Sequence, residues 1–180
     1  MLVNFKILAS NIKAIAVWLV ALLFAFSLGG CSVNYSFTGA SISPDVKTVS
    51  VEHFQNLAPL VNPTLSNLLG EELRNKFTTQ TRLSVISSHG DLNFSGEIRN
   101  YRVQPVAIQS SEIAAQNRLT ISVRVKFDNA KDPSQNYDRT FSHYADFSSN
   151  QQLAQVEQQL VSQIVEKLIE DIFNNAVANW

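Results

Sequence analysis

The chain has 180 residues, with 14 basic and 15 acidic side chains and a formal net charge of −1. This balance, with no two Lys or Arg residues adjacent, argues against a nucleic-acid-binding protein, which needs a concentrated basic surface. The single cysteine excludes a disulfide framework or a cysteine-built metal site within the chain.

Residues 1–30 have the pattern of a secretory signal peptide. Lys6 and Lys13 precede an almost purely apolar stretch, residues 14–28, which is shorter than the roughly 20 residues that a spanning helix needs. Two glycines and Cys31 follow directly, and Leu-Gly-Gly-Cys resembles a bacterial lipobox. The resemblance implies that Cys31 becomes the first mature residue and carries acyl chains such as palmitate.

Acylation of Cys31 would tether the mature domain almost permanently, since several acyl chains together hold a protein on a bilayer. The second mature residue is Ser32 and not an aspartate, and no acidic cluster follows, which favours the periplasmic leaflet of the outer membrane. The alternative is an unmodified Cys31 that closes an ordinary signal peptide as a small apolar residue. We expect residues 31–180 to form a single, lipid-anchored periplasmic domain.

Two elements are predicted in the first half of the mature chain. Residues 46–54 are β-branched and partly alternating, which favours a strand after Pro44. Asn62 and Pro63 supply a helix cap and a first-turn proline. The apolar residues that follow recur at helical spacing and predict one amphipathic helix to about Thr79: Leu65, Leu68, Leu69, Leu73 and Phe77.

The second half alternates more strongly. A short strand is predicted at residues 83–87, a turn at 88–91 and a half-buried strand at 92–98. The clearest two-residue period covers residues 118–127, and after a turn at 128–133 the segment 137–147 is its expected antiparallel partner. Leu153, Val156, Leu160, Ile164, Leu168 and Ile172 predict a final helix of roughly 25 residues.

The element order β, α, β, β, β, β, α predicts an α+β fold in two layers. Two helices pack on one face of a mostly antiparallel sheet of four to five strands. Each helix alone would be marginal in water, so packing against the sheet is expected to supply most of its stability.

The sequence offers little support for an enzyme. His53, His89 and His143 lie far apart, no metal-binding or nucleophile motif occurs, and solvated or structural roles explain the histidines better than catalysis or metal ligation. The adjacent acids of Glu71-Glu72 and of Glu170-Asp171 point about 100° apart on a helix, so solvated helix faces explain them better than a catalytic pair. We expect no catalytic residues, no metal and no cofactor.

The informative feature is the side of the sheet that the helices leave uncovered. Arg118, Arg124 and Lys126, together with Arg99, are predicted to point away from the core. One interpretation is that these basic side chains are simply exposed to solvent. The alternatives are contact with a polar surface such as the water-lined interior of an outer-membrane barrel, or with an anionic lipid headgroup.

Several strings carry a family resemblance: V-E-H-F-Q-N at 51–56, N-P at 62–63, G-D-L-N-F-S-G at 90–96, N-R-L-T-I-S-V at 117–123 and I-F-N-N-A-V-A-N-W at 172–180. Their order and spacing resemble the LptE family of lipopolysaccharide-assembly lipoproteins in its Bacteroidetes form. The resemblance implies a non-enzymatic lipoprotein that plugs a large outer-membrane β-barrel, LptD, and helps it assemble and pass lipopolysaccharide to the outer leaflet.

The resemblance does not assign contact residues, because the basic positions of better-studied members lie in segments that do not match this chain. The face of Arg99, Arg118, Arg124 and Lys126 is therefore a prediction from strand alternation. A pilotin-like or transporter-accessory lipoprotein that binds another membrane complex is the runner-up, and a periplasmic hydrolase is the third hypothesis. The identity of the partner separates the first two.

Overall fold

The structure is a computed structural model that describes residues 42–60, 62–106 and 115–177. The predicted signal peptide and the lipidation residue Cys31 lie outside the described residues. No helix of the described part is long and apolar enough to cross a membrane.

The described part of the chain forms six strands and two α-helices, and its element bounds are as follows. The strands are β1 (Thr48–Val51), β2 (Gln55–Asn56), β3 (Ser84–Ile86), β4 (Leu92–Val106), β5 (Gln116–Asn129) and β6 (Tyr137–Ser148). The helices are α1 (Leu65–Gln80) and α2 (Leu153–Val177), and a short 3₁₀ helix (Pro133–Gln135) lies in the β5–β6 turn.

The strands form one mixed sheet in the order β3-β1-β4-β5-β6, with β2 also paired to β4. The pairs β4–β5 and β5–β6 are antiparallel, as predicted for the second pair. The pairs β1–β3, β1–β4 and β2–β4 are parallel. The α+β class is confirmed, but the prediction of a mostly antiparallel sheet of four to five strands is wrong in both strand number and strand direction.

β1 and β3 are parallel because α1 connects them, and β4 is parallel to β1 because the chain crosses β1 between β3 and β4. The strand β3 has only three residues, so a five-residue loop is long enough to pass to the other side of β1. Gly90 makes this crossing possible, since a Cβ there would lie 2.6 Å from the backbone nitrogen of Ser50. The carboxylate of Asp91 then accepts hydrogen bonds from the backbone nitrogens of Lys47 (2.8 Å) and Thr48 (3.0 Å), which fixes the loop to β1.

Both helices lie on the apolar face of this sheet. Phe77 of α1 packs against Phe94 of β4 (ring centroids 5.2 Å apart) and against Phe173 of α2 (5.0 Å). Phe94 continues the contact to Phe127 of β5 (4.9 Å). These rings join both helices and the two central long strands in one core, and the predicted helix layer is confirmed.

The start of α1 differs slightly from the prediction. The helix begins at Leu65, and the side chain of Asn62 accepts hydrogen bonds from the backbone nitrogen (3.0 Å) and hydroxyl (2.9 Å) of Thr64. Asn62 therefore orders the turn before the helix and does not cap the helix itself. Its amide also donates to Glu157 of α2 (2.9 Å), and Glu157 accepts from the Tyr101 hydroxyl (2.5 Å).

Candidate partner-binding face

The side chains that point away from the helices form a continuous polar surface across β4, β5 and β6, which we call the polar sheet face. Its members are Ser95, Glu97, Asn100, Arg102 and Gln104 of β4, Arg118, Thr120, Ser122, Arg124 and Lys126 of β5, and Asp138, Thr140, Ser142, Tyr144 and Asp146 of β6. Arg99 joins this face from a bulge, where β4 has one residue more than β5.

The register of the hairpin brings opposite charges together. Arg118 lies directly across from Asp146 and Arg124 directly across from Glu97, whereas Asp138 is one diagonal step from Arg124. Directly opposed and diagonal side chains on one face of a sheet are close enough to interact. Every predicted basic residue of this face consequently has a carboxylate within reach.

Arg118 is held from two sides. Its Nε and Nη2 donate to the two carboxylate oxygens of Asp146 at 2.7 and 2.9 Å, and its guanidinium carbon lies 3.6 Å from the ring centroid of Tyr144. Planar bidentate pairing and stacking on an aromatic ring are both specific to arginine. The pairing with Asp146 raises the pKa of Arg118 and lowers the pKa of Asp146.

Arg124 forms the centre of a second ion-pair network. It donates to both carboxylate oxygens of Asp138 at 2.7 Å, and its Nη1 lies 3.6 Å from Glu97. Glu97 also accepts from Arg99 at 2.8 Å. The hydrogen bond to Asp138 raises the pKa of Arg124, and that bond lowers the pKa of Asp138.

Lys126 completes the set of predicted residues. Its Nζ lies 2.9 Å from the carboxylate of Asp128, and this hydrogen bond raises the pKa of Lys126. The structure thus places Arg99, Arg118, Arg124 and Lys126 on one face, as the alternation predicted. It also shows each of them paired with an acidic residue of the same sheet.

Sequence reasoning missed the β6 acids Asp138 and Asp146 and two further members of the face, Tyr144 and Arg102. Asp138, Tyr144 and Asp146 alternate with apolar residues in segment 137–147, and this alternation indicated that they share a face. Only the β5–β6 register shows that they lie beside Arg118 and Arg124. Tyr144 is 56% exposed although it is aromatic. Arg102 is exposed, and it is the cation of this face for which the described residues provide no carboxylate partner.

The histidines do not form a catalytic group. His53 lies between β1 and β2 and is exposed, and His143 of β6 pairs with Asp171 of α2 at 2.7 Å. His89 and Asp128 line one surface depression of about 390 Å³, but the Asp128 carboxylate is engaged by Lys126. No group of His, Cys, Asp and Glu suited to a metal ion occurs among the described residues.

A groove of about 370 Å³ lies between the two helices. Apolar side chains of Leu68, Val165 and Ile169 line it beside Glu72 and Lys76. It lies on the opposite side of the molecule from the polar sheet face, since the helices cover the other side of the sheet.

The geometry defines a class of protein: a small two-layer domain whose helices bury one sheet face and whose other face is a polar surface on which most charges are paired within the sheet. The LptE family model, described as lipopolysaccharide-assembly, matches residues 46–176. The chain therefore belongs to the LptE family, a non-enzymatic lipopolysaccharide-assembly family, and the resemblance seen in the sequence is confirmed.

Solved structures are similar to this chain at low sequence identity. A hypothetical protein from Chlamydia trachomatis is 11% identical with a TM-score of 0.50, and the match covers 74% of this chain and 99% of that one. A minor lipoprotein from Acinetobacter baumannii is 16% identical with a TM-score of 0.49, covering 74% and 94%. No curated protein sequence matches the chain.

Proposed function

We propose that this chain is a lipid-anchored accessory subunit of an outer-membrane lipopolysaccharide-assembly barrel of the LptD type. In this proposal Cys31 carries the anchor on the periplasmic side, and the domain plugs the barrel and helps it assemble without a catalytic step. Lipopolysaccharide then passes to the outer leaflet through a complex in which this domain is a structural part.

One observation carries the proposal: four of the five cations that the structure describes on the polar sheet face, all but Arg102, are paired with carboxylates of the same sheet. Burying an unpaired charge against another protein is costly, because the charge loses its water without gaining a partner. Arg118 and Arg124 bring their counter-charges with them, so this face can approach a polar, water-lined lumen at low cost. An apolar host would leave the same ion pairs without solvent.

The pairing also separates the two partners considered for this face. An anionic headgroup would have to displace Asp146 from Arg118 or Asp138 from Arg124, each of which holds its arginine through two hydrogen bonds of 2.7–2.9 Å. A polar protein surface requires no such exchange. We therefore favour a barrel lumen as the main contact of the face and keep Arg102 as the position most open to an anion.

The test is to isolate the chain from native outer membranes and identify what accompanies it. We expect co-purification with a barrel of about 60 kDa or more, the size that a lumen wide enough to hold a domain requires. Depletion of the chain should lower lipopolysaccharide at the cell surface. A Cys31→Ala variant is the control for the anchor, since it removes the proposed acylation site and changes no residue of the described domain.

Recovery of a lone monomer from native membranes, with surface lipopolysaccharide unchanged on depletion, would contradict the proposal. Co-purification with a secretion or transport complex, and no lipopolysaccharide defect, would instead favour the pilotin-like or transporter-accessory alternative. The partner's identity thus decides between the two assembly classes.

A further inference from the structure

The first strand of the domain is enclosed on four sides, which the proposed plug does not require. The strand β3 pairs with one edge of β1, and β4 pairs with the other. Helix α1 covers the inner face of β1, where Val49 and Val51 lie in the core. The loop 87–91 crosses its outer face at Gly90, so Ser50 is fully buried although it points away from the helices.

The loop 87–91, which we call the strap, is bonded to β1 at two points. The backbone nitrogen of Gly90 donates to the Ser50 hydroxyl at 2.9 Å. The Asp91 carboxylate accepts from the backbone nitrogens of Lys47 and Thr48 and from the Thr48 hydroxyl at 2.8–3.0 Å. That hydroxyl in turn accepts from the backbone nitrogen of Asp91 at 2.9 Å. The strand β1 therefore cannot leave the sheet sideways unless the strap or a neighbouring strand moves first.

Asp91 holds β1 at the point where the chain enters it. A pull on the segment before β1 reaches Lys47 and Thr48 before it reaches the β1–β4 ladder, which begins at Val49. The carboxylate of Asp91 also lies 3.0 Å from Nζ of Lys131 in the β5–β6 turn. The hydrogen bond from the Lys47 backbone and the bond from the Lys131 side chain lower the pKa of Asp91. Asp91 is consequently ionised, and its bonds to β1 are of the stronger, charge-assisted kind.

The strand directions determine how such a pull acts on β1. The strands β1, β4 and β6 run in one direction and β5 runs in the other. Residue 150, just after β6, therefore lies at the end of the sheet where β1 finishes, and the β5–β6 turn lies where β1 begins. A pull along β1 against the far end of the sheet loads the hydrogen bonds on both edges of β1 together, because these bonds lie across the direction of the pull. A pull across the sheet loads them one after another.

From this enclosure we propose that β1 and the strap form a mechanical clamp, which keeps the domain folded when its N-terminal segment is under tension. The inference rests on the proposed function for the source of the tension: a chain fixed to lipid at Cys31 and held in a host by the polar sheet face is pulled between these two points. The clamp itself depends only on the contacts of β1. Drawn lengthwise, β1 has to break the Asp91 bonds and slide out from both neighbouring strands and from beneath the strap.

The experiment holds single molecules at constant force and measures the time until the domain unfolds. The full chain is made by cell-free synthesis in detergent without acylation, so that Cys31, its only cysteine, serves as the first handle. The second handle is Asn150→Cys, just after β6, or Ser134→Cys in the β5–β6 turn, and both positions are exposed. At the same force, we expect longer lifetimes with handles at 31 and 150, which load β1 lengthwise, than with handles at 31 and 134.

Two aspartate variants, both measured with handles at 31 and 150, test the role of Asp91. Asp91→Asn removes the charge from the clamp and should shorten the lifetime about tenfold, which is the effect on a rate of weakening hydrogen bonds to a charged group. Asp132→Asn makes the same change in the β5–β6 turn, where the carboxylate also accepts three hydrogen bonds, from Ser134 and Gln135 at 2.6–3.1 Å. It lies outside the ladders that join β1 to position 150 and should leave the lifetime unchanged.

Three results would overturn the inference: equal lifetimes for the two handle pairs, an unchanged lifetime in Asp91→Asn, or an equal loss of lifetime in both aspartate variants. The last result would mean that general stability sets the lifetime and that the bonds to β1 do not. The comparison of handle pairs leaves the clamp unaltered, so it decides the matter even if Asp91→Asn does not fold. None of the three results bears on co-purification with a barrel, so this inference and the proposed function can fail separately.

Discussion

A charge exchange between Arg124 and Asp138 tests whether the polar sheet face needs paired charges or a cation at position 124. The two side chains are 51% and 44% exposed and joined by two hydrogen bonds of 2.7 Å. Exposed pairs of this kind contribute about 0–1 kcal/mol to folding. Reversing Arg124 alone to Asp should therefore lower the melting temperature by a few degrees at most, at about 2–4 °C per kcal/mol for a chain of this size.

The functional effect should be larger than the effect on stability. Arg124→Asp places a third carboxylate beside Glu97 and Asp138, so the face would carry a cluster of unpaired negative charge into contact with a polar host. We expect less barrel co-purification and less surface lipopolysaccharide. Arg124→Asp combined with Asp138→Arg restores the pair in reverse and should restore both.

The assay compares the single reversal, the exchange and an Arg82→Asp control, which makes the same charge change at an exposed position in the α1–β3 turn. If the exchange variant remains as defective as the single reversal, the cation is needed at position 124 itself. That result would refute the matched-charge reasoning and favour direct contact of Arg124 with an anion. Full function in the single reversal would refute any role for this part of the face.

Three further predictions follow from local contacts. Gly96→Ala should lower the free energy of unfolding by about 1–3 kcal/mol in urea, because the added Cβ would clash with the backbone carbonyl oxygen of Arg124 and would lie 2.9 Å from the buried ring of Phe54; an unchanged midpoint would contradict this. Arg118 lowers the pKa of Asp146, so the ionised pair stabilises the fold above the ordinary aspartate pKa of about 3.9 and is lost as pH falls through the lowered value. Asp146→Asn should therefore weaken the acid-side fall of the melting temperature, and identical pH profiles would count against the pair. Tyr101→Phe removes the hydroxyl that donates to Glu157 and should lower the free energy of unfolding by about 1 kcal/mol. Coincident thermal melts of the variant and the parent protein would contradict this.

The sequence predicted those features that depend on local periodicity. The two-residue period of segment 118–127 placed Arg118, Arg124 and Lys126 on one face, because side chains of a strand alternate whatever its neighbours are. The helical spacing of Leu65 to Phe77 and of Leu153 to Ile172 similarly predicted both helices. None of these inferences required knowledge of strand order.

Features that depend on contacts distant in sequence could not be predicted. The parallel pairing of β1 with β4 follows from a loop that crosses β1 at Gly90, and neither the loop length nor the glycine indicates this crossing by itself. The carboxylate partners of Arg118 and Arg124 lie on β6, so they became visible only once the β5–β6 register was known. The face was predictable, but its internal charge matching was not.

The central position of β1 has a consequence for the order in which the domain can form. Thr48 of β1 pairs with Ser84 of β3, and Val49 pairs with Leu92 of β4, so β1 waits for partners that lie 36 and 43 residues later in the chain. By contrast, β4, β5 and β6 each pair with the strand next to them in the chain. During that wait the apolar side chains of β1 have no sheet to enter, although they end fully buried. The amino-terminal strand is thus the segment for which a chaperone that holds unfolded chains would matter most.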